Sequence, residues 1–183
     1  MRSLTIDDTF ANKINVQKIL KSLAAHCQGL KSLNLEAVAD LNLLSNSFDS
    51  LQTLTISLSP SPKDSKLVSN FVNLKFLHLR VESKVLQLGD DFEKKVQNLL
   101  DSVVVLHSLE ILILEGFIEG IQKVAKAAKS EAIFLPNLKV LSFRKNFDVK
   151  EFDVMLISQC IPSLTLFEID DSHDIAFEIE DVI

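Results

Sequence analysis

Apolar residues fall along this chain in a recurring phrase: an apolar residue, two variable ones, an apolar residue, one variable, an apolar residue. It reads Leu30-Lys31-Ser32-Leu33-Asn34-Leu35 and then Leu51-Gln52-Thr53-Leu54-Thr55-Ile56. It returns as Leu74-Lys75-Phe76-Leu77-His78-Leu79 and Leu109-Glu110-Ile111-Leu112-Ile113-Leu114. Leu138-Lys139-Val140-Leu141-Ser142-Phe143 and Leu164-Thr165-Leu166-Phe167-Glu168-Ile169 follow, and Met1-Arg2-Ser3-Leu4-Thr5-Ile6 opens the chain in the same way. Starts at 1, 30, 51, 74, 109, 138 and 164 leave gaps of 29, 21, 23, 35, 29 and 26 residues.

The fourth and sixth positions alternate with variable ones, which is the period of a strand with one buried face. A single such strand cannot bury that face by itself. Stacking the strands in parallel pairs their backbones and merges the apolar positions into one core. The phrases therefore predict strands beginning near residues 3, 32, 53, 76, 111, 140 and 166, with Leu33, Leu54, Leu77, Leu112 and Leu141 in one buried stack.

Between phrases the apolar period lengthens toward 3.6. Ile14, Ile19, Leu20, Leu23, Ala24 and Cys27 form one helical stripe over 14–27. Phe92, Val96, Leu99, Leu100 and Val103 form another over 90–106, with Asp90 and Asp91 suited to its start. Further helices are expected near 118–129 and 149–160, and shorter returns over 41–49 and 63–71. Ser59-Pro60-Ser61-Pro62 is a loop. Gly116 and Gly120 mark a turn after the fifth phrase.

The whole chain resembles the leucine-rich-repeat superfamily in its irregular, ribonuclease-inhibitor-like form. His26-Cys27-Gln28-Gly29-Leu30-Lys31-Ser32-Leu33-Asn34-Leu35 is similar to the cysteine-containing repeats of F-box proteins. Leu135-Pro136-Asn137-Leu138-Lys139-Val140-Leu141 resembles repeats of plant F-box proteins and nucleotide-binding immune receptors. The resemblance implies an α/β leucine-rich-repeat solenoid: a curved parallel sheet of about seven strands with helices on the convex side, forming one domain over 1–183. The usual Asn or Cys eight residues after the first Leu is mostly missing. Thr9, Val38, Ser59, Glu82, Phe117, Asn146 and Ser172 stand there, and only Asn146 fits. No F-box, nucleotide-binding or kinase motif is present. The chain opens inside a phrase without a polar cap, so it is expected to be an excerpt of a longer protein, or to have that end covered.

Composition narrows the functions. The net charge of −6 argues against a nucleic-acid partner. The balance is uneven: 151–183 hold nine of the 25 acids and none of the 19 Lys and Arg. That stretch reads as a solvated acidic end or an acidic docking surface. Apolar runs such as Val103-Val104-Val105-Leu106 are too short to span a bilayer. Two cysteines, Cys27 and Cys160, with no disulfide framework, point to a cytoplasmic or nuclear setting. Twelve Phe with no Tyr or Trp favour core filling over exposed aromatic anchors.

Catalytic chemistry has little to work with. There is no Gly-rich phosphate loop, and His26, His78, His107 and His173 lack ligand partners at metal spacing. Asp170, Asp171, His173 and Asp174 cluster, but without a matching ligand loop they read as a solvated turn. Neither an enzyme nor a bound metal or cofactor is expected.

The informative residues are the variable ones, which point away from the core. At the third position Phe76, Ile111, Val140 and Leu166 are apolar neighbours. The fifth brings His78 and Ile113, and the seventh Arg80, Glu115, Arg144 and Asp170, alternating in sign. An apolar row rimmed by His78, Arg80, Glu115 and Arg144 is expected on the concave face as a protein-binding site. The expected function is protein recognition without catalysis, as in the recognition part of an F-box-type adaptor or an immune-receptor-like protein. A permanently packed assembly subunit, or a regulator that covers an enzyme's active site, are the alternatives.

Overall fold

Each of the seven phrases becomes a strand, and the strands lie side by side in chain order. The computed structural model describes residues 2–6, 15–38, 44, 48–58, 68–81, 90–117, 122, 124, 135–145, 157–170 and 175–178. Within these, the strands are β1 (Ser3–Ile6), β2 (Ser32–Val38), β3 (Thr53–Leu58) and β4 (Phe76–Val81). They continue as β5 (Ile111–Glu115), β6 (Val140–Arg144), β7 (Leu166–Asp170) and β8 (Ile175–Glu178). One open α/β sheet runs β1 to β8, parallel through β7.

The predicted strand starts are all met, and the third positions pair in one unbroken row. Ser3, Ser32, Thr53, Phe76, Ile111, Val140 and Leu166 are successive register partners. The fourth and sixth positions therefore form two columns of leucine, isoleucine and phenylalanine. Leu33, Leu54, Leu77, Leu112 and Leu141 are all buried, as the alternation requires. Phe143 and Phe167 close the far end with tilted rings 5.8 Å apart.

Backbone chemistry at the strand starts explains why the register never drifts from one strand to the next there. The first Leu of each phrase closes a turn onto the residue three before it: Leu30 to Cys27, Leu51 to Phe48, Leu74 to Phe71, Leu109 to Leu106, Leu138 to Leu135 and Leu164 to Ile161. The second residue's carbonyl then accepts two N–H groups from the next strand start. Lys75 accepts from Glu110 and Ile111, and Glu110 from Lys139 and Val140. The same pairing recurs at Arg2, Lys31, Gln52 and Lys139.

Side chains reinforce this seam just ahead of four of the phrases. Ser50 Oγ donates to the Gln28 and Leu30 carbonyls, and Asn73 Nδ2 to that of Asp49. Asn137 Nδ2 donates to His107 and Ser163 Oγ to Leu138. These polar residues tie one strand start to its predecessor, a role that in the usual repeat falls to the Asn or Cys eight residues after the first Leu.

The helix α1 (Val16–His26) matches the stripe over 14–27: Val16 and Leu20 are buried, and Ile19, Leu23 and Ala24 pack on the core. Asn15 caps it by accepting from the Lys18 N–H at 3.1 Å. The helix α2 (Asp90–Val103) begins at the first expected aspartate and buries Leu99, Leu100 and Val103. Most of the expected returns at 41–49, 63–71, 118–129 and 149–160, the Ser59–Pro62 loop and Gly120 lie outside the described residues.

Two features depart from expectation. In β2 the register slips after Leu35, so that Val38, not Glu36, faces Ser57. Two extra residues there bulge the strand and take Glu36 out of the seventh-position row. The second departure is β8, an antiparallel partner of β7 joined through the 171–174 connection. A short connection permits only this direction, because a parallel strand needs a long crossover.

Candidate functional site

The sheet has two faces, and only one belongs to the leucine core. None of the third-, fifth- or seventh-position residues of β4–β7 is part of the core cluster. Alternation along each strand sends them to the opposite face. There Phe76, Ile111, Val140 and Leu166 stand in register on four adjacent strands, each half-buried. Parallel strands lie about 4.8 Å apart, so the apolar row extends over about 14 Å.

The next row inward is not exposed. His78 and Ile113 are buried, and Ser142 is 1% exposed. Ser142 Oγ is buried with no hydrogen-bond partner among the described residues. Ile113 is thus a buried residue of the sheet face rather than a free contact.

The seventh positions hold a charge cluster centred on Glu115. Its Oε2 accepts from Arg80 Nε at 3.0 Å and from His78 Nε2 at 3.1 Å. Lys145 Nζ reaches Oε1 at 2.6 Å. A carboxylate only accepts, so the His78 proton sits on Nε2. Burial alone would raise the Glu115 pKa, but the hydrogen bonds and charges of Lys145 and Arg80 overcome it and hold it down at about 2. Burial lowers the His78 pKa against the pull of Glu115, and the Arg80 and Arg144 charges push the same way. His78 is the neutral partner in an ionic cluster.

This arrangement corrects the expected rim. His78 and Glu115 are each only 7% exposed, so they are not free charges around an apolar centre. Arg80 and Arg144 are half-buried, and Arg80 is already paired with Glu115. A carboxylate filled on both oxygens and ionised at neutral pH is a weak base, and the cluster offers no proton-transfer pair. What it does is neutralise charge on a surface that is largely shielded from water.

Lys145 was not among the residues singled out in the sequence. It follows the sixth phrase and adopts φ 52, which lets it turn back toward Glu115. Nothing in its neighbours announces that conformation. Gly116, by contrast, behaves as expected. It adopts φ 76, and a Cβ there would stand 2.6 Å from the Val81 carbonyl oxygen.

A second row lies one residue earlier, at the strand starts. Arg2, Lys31, Gln52, Lys75, Glu110, Lys139 and Thr165 follow one another through backbone hydrogen bonds. Glu110 bridges Lys75 and Lys139 at 3.1 Å each. Hydrogen bonds from Lys139 and Lys75 hold its carboxyl below the ordinary range.

Among the described residues no group of His, Cys, Asp and Glu could hold a metal ion, and Cys27 and Cys160 are free thiols. The cluster of Asp171, His173 and Asp174 lies outside them. No helix among the described residues is long and apolar enough to cross a membrane. Neither a protein-family model nor a curated protein matches the chain.

Proposed function

We propose that this chain is a non-enzymatic protein-recognition module of the leucine-rich-repeat type, using the sheet face opposite its leucine core. The observation that carries the reading is the row Phe76, Ile111, Val140 and Leu166, four apolar side chains aligned on neighbouring strands and half open to solvent. An apolar centre of this kind is where protein interfaces concentrate their binding energy. Phe76 and Ile111 are the anchors. The recurring phrase and the repeated strand-start turns support the repeat assignment, with the returning helices on the far, convex side. In an F-box-type adaptor or an immune-receptor-like protein this would be the part that reads the substrate or ligand. Two free thiols fit a cytoplasmic or nuclear location.

The test is a photo-crosslinking residue at position 140, the register neighbour of Ile111, used in extracts of the source organism with and without Ile111→Glu. Loss of the crosslinked partner in a variant with unchanged circular dichroism supports the reading. An unchanged partner with Ile111→Glu moves the site elsewhere.

A further inference from the structure

The strand-start row, at the edge where the strands begin, carries a charge opposite in sign to that of the whole chain. Arg2, Lys31, Lys75 and Lys139 are all exposed, and Glu110 is the one acid among the seven residues of the row. The row therefore carries four positive charges and one negative, net +3, on a chain of net charge −6. Among the described residues no carboxylate pairs with Arg2 or Lys31, while Glu110 is shared by Lys75 and Lys139. Lys31, Lys75 and Lys139 sit on alternate strands, roughly 10 Å apart, within reach of successive carboxylates on one segment. Lys75 and Lys139 directly precede Phe76 and Val140, so the basic row borders the Phe76-to-Leu166 row on β4 and β6, and Lys31 extends it two strands beyond, ahead of Ser32.

We propose that the occupant of this face is an acidic protein segment bearing apolar side chains, its carboxylates on Lys31, Lys75 and Lys139 and its apolar residues on the Phe76-to-Leu166 row. The proposal rests on the reading of the sheet face as a protein-binding surface and adds the chemistry of the partner. Charge complementarity selects the occupant. A chain of net charge −6 repels extended polyanions, and a row interrupted by Glu110 between two of its lysines is a poor track for a phosphate backbone. A short acidic segment meets the local field alone, and its apolar side chains gain what the lysines cannot supply. Glu110 then works against the occupant, as a fixed acid that lowers affinity and penalises segments with misplaced carboxylates.

Fluorescence anisotropy of a short synthetic peptide alternating Glu with Leu and Phe tests this against the intact chain. The comparison probes are the same peptide with Lys for Glu, an all-Glu peptide, single-stranded RNA and phosphatidylserine vesicles. The acidic–apolar peptide is expected to bind best and to weaken as salt rises above about 0.1 M. Lys31→Glu, at an exposed side chain, should weaken it about three- to tenfold, and Glu110→Gln should tighten it about two- to fivefold. No measurable binding of this peptide, equal binding of the Lys peptide, or preference for RNA or vesicles overturns the proposal. So does an unchanged affinity in both charge variants. If Ile111→Glu abolishes partner crosslinking while those variants change nothing, the binding face stands and the acidic occupant falls. If Ile111→Glu also changes nothing, the face itself is wrong.

Discussion

His78 and Glu115 meet across adjacent strands, with the imidazole Nε2 3.1 Å from a carboxylate oxygen that Arg80 also holds. Glu115 is thus an ionised acid in a buried position, kept so by Arg80 and by Lys145 on its other oxygen. The pair links β4 to β5 on the face that the leucine core does not reach.

Acid should loosen this link in two steps. Glu115 titrates near pH 2 when folded and near 4.5 when unfolded. Its stabilisation is in place above pH 4.5 and is lost as the pH falls toward 2. His78 is also depressed below its ordinary 6.5, so the unfolded chain takes up that proton first as the pH drops through 6.5. Urea unfolding of wild type, Glu115→Gln and His78→Gln across this range reads both effects. Glu115→Gln should cost about 1–3 kcal/mol at pH 7 and flatten the dependence below 4.5, since it strips charge from a hydrogen-bonded buried group. Parallel curves for wild type and Glu115→Gln would remove the cluster from the stability account.

Gly116→Ala should be costly although it adds one methyl group. The position combines φ 76 with a Cβ site 2.6 Å from the Val81 carbonyl oxygen, so neither the backbone nor its neighbour yields easily. Its N–H also donates to the Arg144 carbonyl at 2.9 Å. The expected loss is about 1–3 kcal/mol. Thermal unfolding should show a Tm lowered by about 3–10 °C, and an unchanged Tm would mean that the end of β5 is placed wrongly.

Core and seam should differ in what they contribute. Leu112→Ala empties a site that is 1% exposed and should cost about 2–5 kcal/mol. Asn137→Ala removes one hydrogen bond to the His107 carbonyl near the surface and should cost about 0.5–1.5 kcal/mol. Denaturant midpoints of the two variants decide it. Equal losses would mean that the side-chain seam is as important as the leucine stack.

The strand β1 should be the first to open. It pairs only with β2 among the described residues, and Ser3 and Thr5 are exposed. In hydrogen exchange its amides should lose protection well before those of Ile111–Glu115, which lie between two strands. Equal protection in the isolated chain would show that something covers the free edge of β1.

The strands were legible because two leucines at period 2 leave few choices of register. Fixing Leu33 and Leu35 inward fixes Ser32 and Asn34 outward, and the same holds at Leu112 and Leu114. The face opposite the leucine core was harder to read. Alternation places His78, Ile113 and Ser142 on it correctly, but burial at the centre of a wide sheet depends on neighbours that one strand does not specify. Lys145 escaped because a positive φ at a lysine has no local signature. The seam did have one: Ser50, Asn73, Asn137 and Ser163 each stand directly before a first Leu, a column visible once the phrases are aligned. The alternation of Ile175 and Phe177 likewise marks β8, obscured by the acids around it.

A chain built on these strand starts can change length without renegotiating its geometry. The joint between neighbours is made by one carbonyl and the next two N–H groups, all at the strand starts themselves. Returns are therefore free to bring phrase starts 21 residues apart in one place and 35 in another, as they do here. Removing or duplicating a whole unit, from one first Leu to the next, would present the same acceptor to the same pair of donors. An insertion of one residue inside a phrase would turn its leucines to the wrong face. Such a molecule is editable in whole units and brittle within them, so the width of its sheet is set by counting units and the character of its open face by what each unit carries there.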